Sequence, residues 1–231
     1  APPQTPGSPQ QLIDLLLSSS SDRGSSLSPA SVSSARSLIA SLSDLQPSPP
    51  TDADIAGRWS LLATLTPQSP DGTDSDLNSV PFWSFASWQN YLTSKGPSPV
   101  QGLLSSSRVS NVAQILIPGP SGRFDNLIDI GLPFGASAAL LLRASRESIS
   151  GEPKGRLTFR FKTGRFLLKE VLFGGDLAVP YPVPFDLLGP RAIGYLDTTV
   201  LQDDLRVSVG NKGTTFVFRR ETDPTRASLA V

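Results

Sequence analysis

Residues 193–220 read IGYLDTTVLQDDLRVSVGNKGTTFVFRR, and this stretch decides the fold. It predicts three consecutive strands, Ile193–Leu201, Leu205–Gly210 and Thr214–Arg220. The joining segments are short and rich in residues typical of turns, an acidic pair in the first and Asn-Lys-Gly in the second. Strands joined by such short turns pair antiparallel, so the end of the chain is predicted to be part of an antiparallel sheet.

The same pattern continues upstream as far as Gly57. It predicts six further strands, Gly57–Thr66, Arg108–Ile117, Gly122–Ile130, Ala136–Arg143, Arg156–Thr163 and Arg165–Phe173. Glycine and proline turns separate most of them, and the Pro-rich stretch 174–191 is expected to be a loop. Because no helix separates consecutive strands, the prediction is an all-β fold whose antiparallel sheet closes into a barrel.

The chain ahead of the strands favours helix. Residues 10–17 place their leucine and isoleucine side chains on one side, and a second helix begins with Ser28 as its cap and Pro29 in its first turn. The predicted organisation is a disordered tail at 1–9, a helical region at 10–50, a barrel at 51–220 with a long insertion at 67–107, and a C-terminal tail at 221–231.

Composition excludes several kinds of chemistry. Lys plus Arg equals Asp plus Glu at 20 each, and the basic residues are scattered, so nucleic acid is not an expected partner. The absence of His and Cys removes the thiol nucleophile, the imidazole base and the usual zinc site, so we expect neither a catalytic nor a metal site. No apolar run approaches the roughly 18 residues of a membrane span. A targeting peptide is expected to lie outside this chain.

Several motifs resemble the plastid lipid-associated proteins, also called fibrillins. The most specific are Leu196-Asp197-Thr198-Thr199, Asp203-Asp204-Leu205-Arg206 and Gly210-Asn211-Lys212-Gly213, in this order and spacing. Gly57-Arg58-Trp59-Ser60 is similar to the family's first strand. The resemblance implies a lipocalin-like barrel in the plastid, associated with thylakoids or plastoglobules and without a known reaction. It also implies a bound lipid, with isoprenoid, carotenoid, quinone and fatty acid left open.

Two sets of residues follow from the barrel prediction. Gly57 and Trp59 resemble the lipocalin signature that closes one end of the barrel, where Arg219 or Arg220 is expected to cover the Trp59 ring. The inward-facing apolar residues either line a ligand cavity or simply fill a core, since alternation looks the same in both cases. These candidate ligand-binding residues are Leu61, Val112, Phe124, Ile128, Phe159, Phe161, Phe216 and Phe218. Asn111, Gln114, Asn126 and Arg160 are candidates for orienting a headgroup.

The insertion at 67–107 carries an aromatic group formed by Phe82, Trp83, Phe85, Trp88 and Tyr91. Three interpretations compete: a lid over the barrel, an anchor in a membrane or lipid-droplet surface, and a docking surface for a protein. We favour the lid, because the group lacks the flanking Lys and Arg of surface-binding helices. The alternative to a lipid carrier is a solid barrel whose insertion docks onto a photosynthetic or biosynthetic complex.

Three carboxylates, Asp197, Asp203 and Asp204, lie close together in the sequence. One interpretation is that these carboxylates supply oxygen ligands for a hard cation. Asp is also common in turns, where it accepts hydrogen bonds from the backbone or pairs with a neighbour such as Arg206. We favour the second interpretation.

Overall fold

The computed structural model describes residues 8–19, 27–65, 109–119, 121–131, 137–147, 151–171, 175–181, 183 and 185–222. Two helices come first, α1 (Pro9–Ser19) and α2 (Pro29–Asp44). The strands are β1 (Gly57–Leu65), β2 (Val109–Ile117), β3 (Arg123–Gly131), β4 (Ser137–Arg146), β5 (Arg156–Val171), β6 (Gly175–Pro180), β7 (Ile193–Gln202), β8 (Leu205–Gly210) and β9 (Thr215–Arg220). A 3-10 helical segment, Phe185–Ala192, lies between β6 and β7.

Helix α2 begins as its sequence predicts. The Ser28 hydroxyl accepts a hydrogen bond from the backbone N–H of Ser31 at 3.1 Å, and Pro29 occupies the first turn. A proline is tolerated there because that N–H has no partner within the helix. Local sequence therefore fixes where this helix starts.

The nine strands form one antiparallel sheet that closes on itself. Their order is β4-β3-β2-β1-β9-β8-β7-β5-β6, and β4 pairs with β5 as well. The closing pair runs from Ser137 opposite Lys169 to Arg146 opposite Phe159. All strands except β6 therefore belong to the ring, and β6 extends from the second half of β5. The prediction of an antiparallel, lipocalin-like barrel with N-terminal helices is confirmed.

The prediction that Gly164 separates two strands was wrong. Residues 156–171 form one long strand, whose first half pairs with β7 and whose second half pairs with β6. A Cβ atom at Gly164 would lie 2.8 Å from the Cβ of Tyr181, closer than two carbons approach. Glycine is needed here for close packing, not for a turn.

The expected loop at 174–191 was also wrong in part, because residues 175–180 form β6. This strand pairs antiparallel with β5, with Leu167 opposite Ala178, and it ends at Pro180. Proline and paired glycines usually mark turns, so the sequence of this stretch predicted a loop and not the six-residue edge strand that it forms. Edge strands tolerate proline because one side of the strand needs no ladder hydrogen bonds.

The two helices cover the outer surface of β1 and β7–β9. Leucine and isoleucine from α1 and α2 pack against aliphatic side chains that point out of the ring. This helix-facing cluster contains Leu12, Ile13, Leu16, Ala35, Leu42, Leu65, Val200, Leu205, Val207 and Val217. On this side of the barrel, the strands are therefore buried on both faces.

Candidate ligand site in the barrel interior

One end of the barrel is closed around Trp59, which is fully buried. Its indole N–H donates to the Ile55 carbonyl oxygen at 2.9 Å, and the Arg220 guanidinium lies over the ring, 4.1 Å from its centre. Arg220 also donates to the carbonyl oxygen of Ala56 at 2.8 Å. Gly57 has a φ of 114°, and a Cβ there would lie 3.0 Å from Nη1 of Arg220. The chain entering β1 is thus held against the last strand.

Of the two arginines expected near Trp59, the structure places Arg220 over the ring and Arg219 outside the barrel. Arg219 forms an ion pair with Asp204 at 2.7 Å on the surface. A second arginine, Arg206, also reaches the ring from inside, with its guanidinium carbon 5.0 Å from the Trp59 ring centre. The sequence had suggested Arg206 as a partner of the acidic turn, and the structure corrects this.

The eight candidate ligand-binding residues all belong to the interior, in two apolar clusters. The Trp59 cluster contains Ile55, Trp59, Leu116, Phe124, Ala144, Leu157, Phe159, Leu196, Phe216 and Phe218. The Tyr181 cluster contains Val109, Val112, Ile128, Ile130, Leu140, Leu142, Tyr181, Val183 and Phe185. Leu61 and Phe161 pack against both clusters and are only partly buried. Leu61 and Phe161 are therefore partly exposed apolar residues that contact both clusters.

Aromatic rings connect the two clusters. Phe124 stacks on Phe159 with 4.3 Å between ring centres, and Phe159 meets the edge of Phe161 at 5.4 Å. Phe161 then contacts Phe185 at 5.6 Å, and Phe185 contacts Tyr181 at 6.4 Å. Such contacts add to the burial of the rings and fix their orientation. One side of the interior is thus occupied by the protein's own side chains.

Tyr181, Val183 and Phe185 were missed as interior residues because the sequence placed them in a loop. They follow β6 and are buried in the Tyr181 cluster. Their alternation with proline hides the pattern, but three large apolar residues at every second position carry the signal of an extended buried segment.

Polar side chains also point into the ring. Gln114 lies opposite Trp59 on one neighbouring strand and opposite Asn126 on the other, so all three share the inner face. Gln114 is buried, whereas Asn126 is partly exposed. The other two headgroup candidates lie elsewhere: Asn111 donates to Asp129 at 3.3 Å, and Arg160 pairs with Glu147 at 2.6 Å.

Arg206 is a charged residue that is buried in this interior. Its side chain is 1 % exposed, and Nη2 donates to Oε1 of Gln114. Its guanidinium carbon lies 4.3 Å from the Phe218 ring centre. Burial, and then the charge of Arg220, lower the pKa of Arg206 to about 9. The guanidinium is therefore still a cation at neutral pH.

The carboxylates of the family motif are engaged by arginines or lie in the turn. Asp197 accepts two hydrogen bonds from Arg156, both at 2.7 Å, and Asp204 pairs with Arg219. Asp203 is in the turn with a φ of 52°. Across the part of the chain that the structure describes, no group of three or more His, Cys, Asp or Glu side chains is placed to hold a metal ion.

The uncharged motif residues are distributed over both faces of the hairpin. Leu196 belongs to the Trp59 cluster, whereas Leu205 belongs to the helix-facing cluster. The Thr198 hydroxyl is 3.1 Å from that of Ser208 inside the hairpin, and Thr199 lies beside it with a buried hydroxyl. The motif therefore builds packing and hydrogen bonds around the inward-facing Arg206.

Comparison with known proteins identifies the family. The PAP_fibrillin family model matches residues 85–219, more than half of the chain. The chain belongs to the PAP/fibrillin family. The match includes strands β2–β8, most of β9 and the motif hairpin, so the PAP/fibrillin region and the described barrel coincide from β2 onward.

The PAP/fibrillin chain is similar to the probable plastid-lipid-associated protein 12, chloroplastic, of Arabidopsis thaliana. The two are 34% identical over 224 residues, which cover 95% of this chain and 46% of the relative. The chain thus spans about half the length of that relative. No solved structure gives a significant match.

The aromatic group of the insertion, Phe82, Trp83, Phe85, Trp88 and Tyr91, lies outside the described residues, so its role as lid, anchor or docking surface stays a prediction. Among the helices of the described ranges, none has the length and apolar character needed to cross a membrane.

Proposed function

We propose that this PAP/fibrillin protein is a non-catalytic plastid protein that holds a hydrophobic ligand inside its barrel and associates peripherally with thylakoids or plastoglobules. The ligand is an isoprenoid, carotenoid, quinone or fatty acid. The observation that carries the proposal is the partly exposed pair Leu61 and Phe161, apolar side chains between two buried clusters in a closed ring. The plastid-lipid-associated relative supports both the compartment and the class of ligand.

Binding would be driven by desolvation of the ligand's apolar part. Each Å² of apolar area removed from water contributes about 25 cal/mol, and ordering of ligand and side chains offsets part of this gain. The interior is lined mainly by aliphatic and aromatic side chains, which distinguish ligands by their shape. A few polar groups would distinguish ligands by their chemical type.

The test is the lipid content of protein purified from its native membrane fraction, measured by extraction and mass spectrometry. A carrier should retain one defined lipid or pigment in near-stoichiometric amount. The variant Leu61→Phe adds volume at a partly exposed residue that contacts both clusters and should reduce the retained ligand severalfold, while Leu45→Phe, at a side chain that is 67% exposed, should not. Protein that carries no ligand, together with unchanged behaviour of Leu61→Phe, would contradict a carrier role.

The alternative function is an interaction protein whose filled barrel presents the insertion at 67–107 to a photosynthetic or biosynthetic complex. The aromatic contacts from Phe124 to Tyr181 favour it, since they occupy one side of the interior. In this case a ligand-free protein should co-purify with a fixed partner. Replacing Trp83 and Trp88 by Ala should release that partner, whereas a lid would lose thermal stability instead.

A further inference from the structure

Arg206 faces the barrel interior because β8 turns its apolar residues outward. Leu205 and Val207 pack against the helices in the helix-facing cluster. Arg206, between them, lies directly opposite Phe218 of the Trp59 cluster. Since side chains alternate along a strand, covering the outer face with helices sends the arginine inward.

The charge of Arg206 is not neutralised by the described residues. Within those ranges, none of its nitrogens lies within ion-pair distance of a carboxylate, and its Nε has no hydrogen-bond partner. The charge that acts on its pKa is the like charge of Arg220. An unpaired buried charge is costly for a protein to keep, so the position favours an incoming anion.

Closure of the barrel does not account for this arginine. Arg220 already lies over the Trp59 ring at 4.1 Å and joins it to the chain before β1, whereas Arg206 is farther from the ring at 5.0 Å. An uncharged side chain of similar length would fill the same place without the cost of burying a cation. Closure and packing alone therefore do not explain why this buried residue is charged.

The residues around Arg206 match a ligand that has both a polar and an apolar part. Its guanidinium contacts the Phe218 ring, and Leu61, on the adjacent strand, pairs directly with Phe218 and is partly exposed. Asn126 is the partly exposed amide in this layer, opposite the Gln114 that Arg206 contacts. A cation and an amide donor thus lie beside accessible apolar surface.

We propose that the interior takes a ligand with a carboxylate headgroup, of the fatty-acid class, whose carboxylate pairs with Arg206 and accepts a hydrogen bond from Asn126 while its acyl chain lies along Leu61 and Phe161. This inference rests on the proposed carrier function and specifies its ligand. It predicts selectivity for an acid over the uncharged ester, alcohol or quinone of similar apolar area.

The first test needs no variant. Delipidated wild-type protein is titrated near neutral pH with a fluorescent polyene fatty acid and with its methyl ester, which has the same chain and no charge. The acid is expected to bind at least about tenfold more tightly than the ester, because only the acid forms a charged hydrogen bond with Arg206. Equal affinities would overturn the carboxylate inference and leave the carrier function standing. Binding of neither probe would overturn both.

The second test removes the charge. Arg206→Met should weaken binding of the acid to the level of the ester and leave the ester unchanged, and Arg206→Lys should keep a preference for the acid. Arg219→Met is the matched control, since Arg219 lies on the outer surface beside Asp204. If Arg206→Met weakens acid and ester equally while its circular dichroism matches that of the wild type, Arg206 contributes packing alone and the inference is wrong.

Discussion

Single residues at the closed end of the barrel have separable roles. Trp59 donates its indole N–H to Ile55, and Arg220 covers its ring while binding the backbone before β1. A cation over an aromatic ring contributes about 0.5–2 kcal/mol, and most when it is shielded from water. Neighbouring arginines of the same strand therefore differ in importance, because Arg219 points to the surface.

We expect Arg220→Ala to lower the free energy of unfolding by about 1–3 kcal/mol, since it removes the ring contact and the hydrogen bond to Ala56. Arg219→Ala should cost less than about 1 kcal/mol, as exposed ion pairs contribute little. Urea unfolding followed by tryptophan fluorescence measures both. Equal losses would show that Arg220 does not hold the closed end.

The turn between β7 and β8 gives a second prediction at this scale. Asp203 has a φ of 52°, a region that glycine occupies without steric cost and β-branched residues avoid. Asp203→Gly should leave stability unchanged or raise it by up to about 1 kcal/mol, and Asp203→Val should lower it by about 1–2 kcal/mol. The melting temperatures of the two Asp203 variants test this prediction. An equal effect of both changes would contradict a strained turn.

At the scale of elements, β5 shows what the sequence pattern leaves out. Gly164 interrupts the alternation of Leu157, Phe159 and Phe161, and glycine commonly marks a turn, so the pattern predicted two strands. The structure uses this glycine to admit Tyr181, a contact between segments 17 positions apart in the chain. Local sequence carries no information about such a neighbour.

We expect Gly164→Ala to destabilise the protein by about 1–3 kcal/mol, because the added methyl group overlaps Tyr181 and Leu142. Thr163→Ala, at the exposed neighbouring position of the same strand, should cost less than about 1 kcal/mol. Chemical denaturation measures both variants. A neutral Gly164→Ala would mean that the strand shifts freely at this point.

Helix α2 contributes to stability through its packed face. Leu42 is fully buried against the barrel, whereas Leu45, just after the helix, is 67% exposed. Leu42→Ala should therefore cost about 2–5 kcal/mol and Leu45→Ala less than about 0.5 kcal/mol. Similar midpoints of urea unfolding for the two variants would show that the helices are only loosely attached to the sheet.

At the scale of the whole molecule, the strand pattern was enough to predict the antiparallel barrel, and alternation identified eight of the apolar residues inside it. It failed for Leu205-Arg206-Val207-Ser208, which alternates clearly but faces the opposite way. A charged residue on a strand normally points to water, and here the helices cover that side. Which face is inner depends on packing between distant elements, so the inward orientation of Arg206 was not predicted.

Stability of the whole chain should fall in acid. Desolvation alone would raise the pKa of Glu152, but hydrogen bonds from Arg146 and Thr158 outweigh it and lower that pKa below 4.5. Hydrogen bonds from Arg160 lower the pKa of Glu147 in the same way. In acid, the unfolded chain therefore binds more protons than the folded protein. The stability that these two carboxylates contribute is present above their pKa in the unfolded chain, and it is lost as the pH falls through their pKa in the folded protein.

The measurement is the urea midpoint at several pH values from neutral to acidic. Glu152→Gln should be less stable than the wild type near neutral pH, and the difference should narrow in acid, where the wild-type carboxylate is protonated. Asp125 acts in the opposite direction, because desolvation raises its pKa despite the nearby charges of Arg123 and Arg143. A constant difference between variant and wild type would contradict the assignment to Glu152.

The position of β6 outside the ring affects how copies of the molecule meet. Among the described strands it has β5 as its sole neighbour, and Leu177 and Val179 on it are 50% and 39% exposed. An open backbone edge beside aliphatic side chains is where soluble proteins begin to grow intermolecular sheets. Here the edge is six residues long and stops at Pro180, which has no N–H, and both features limit the growth of such a sheet.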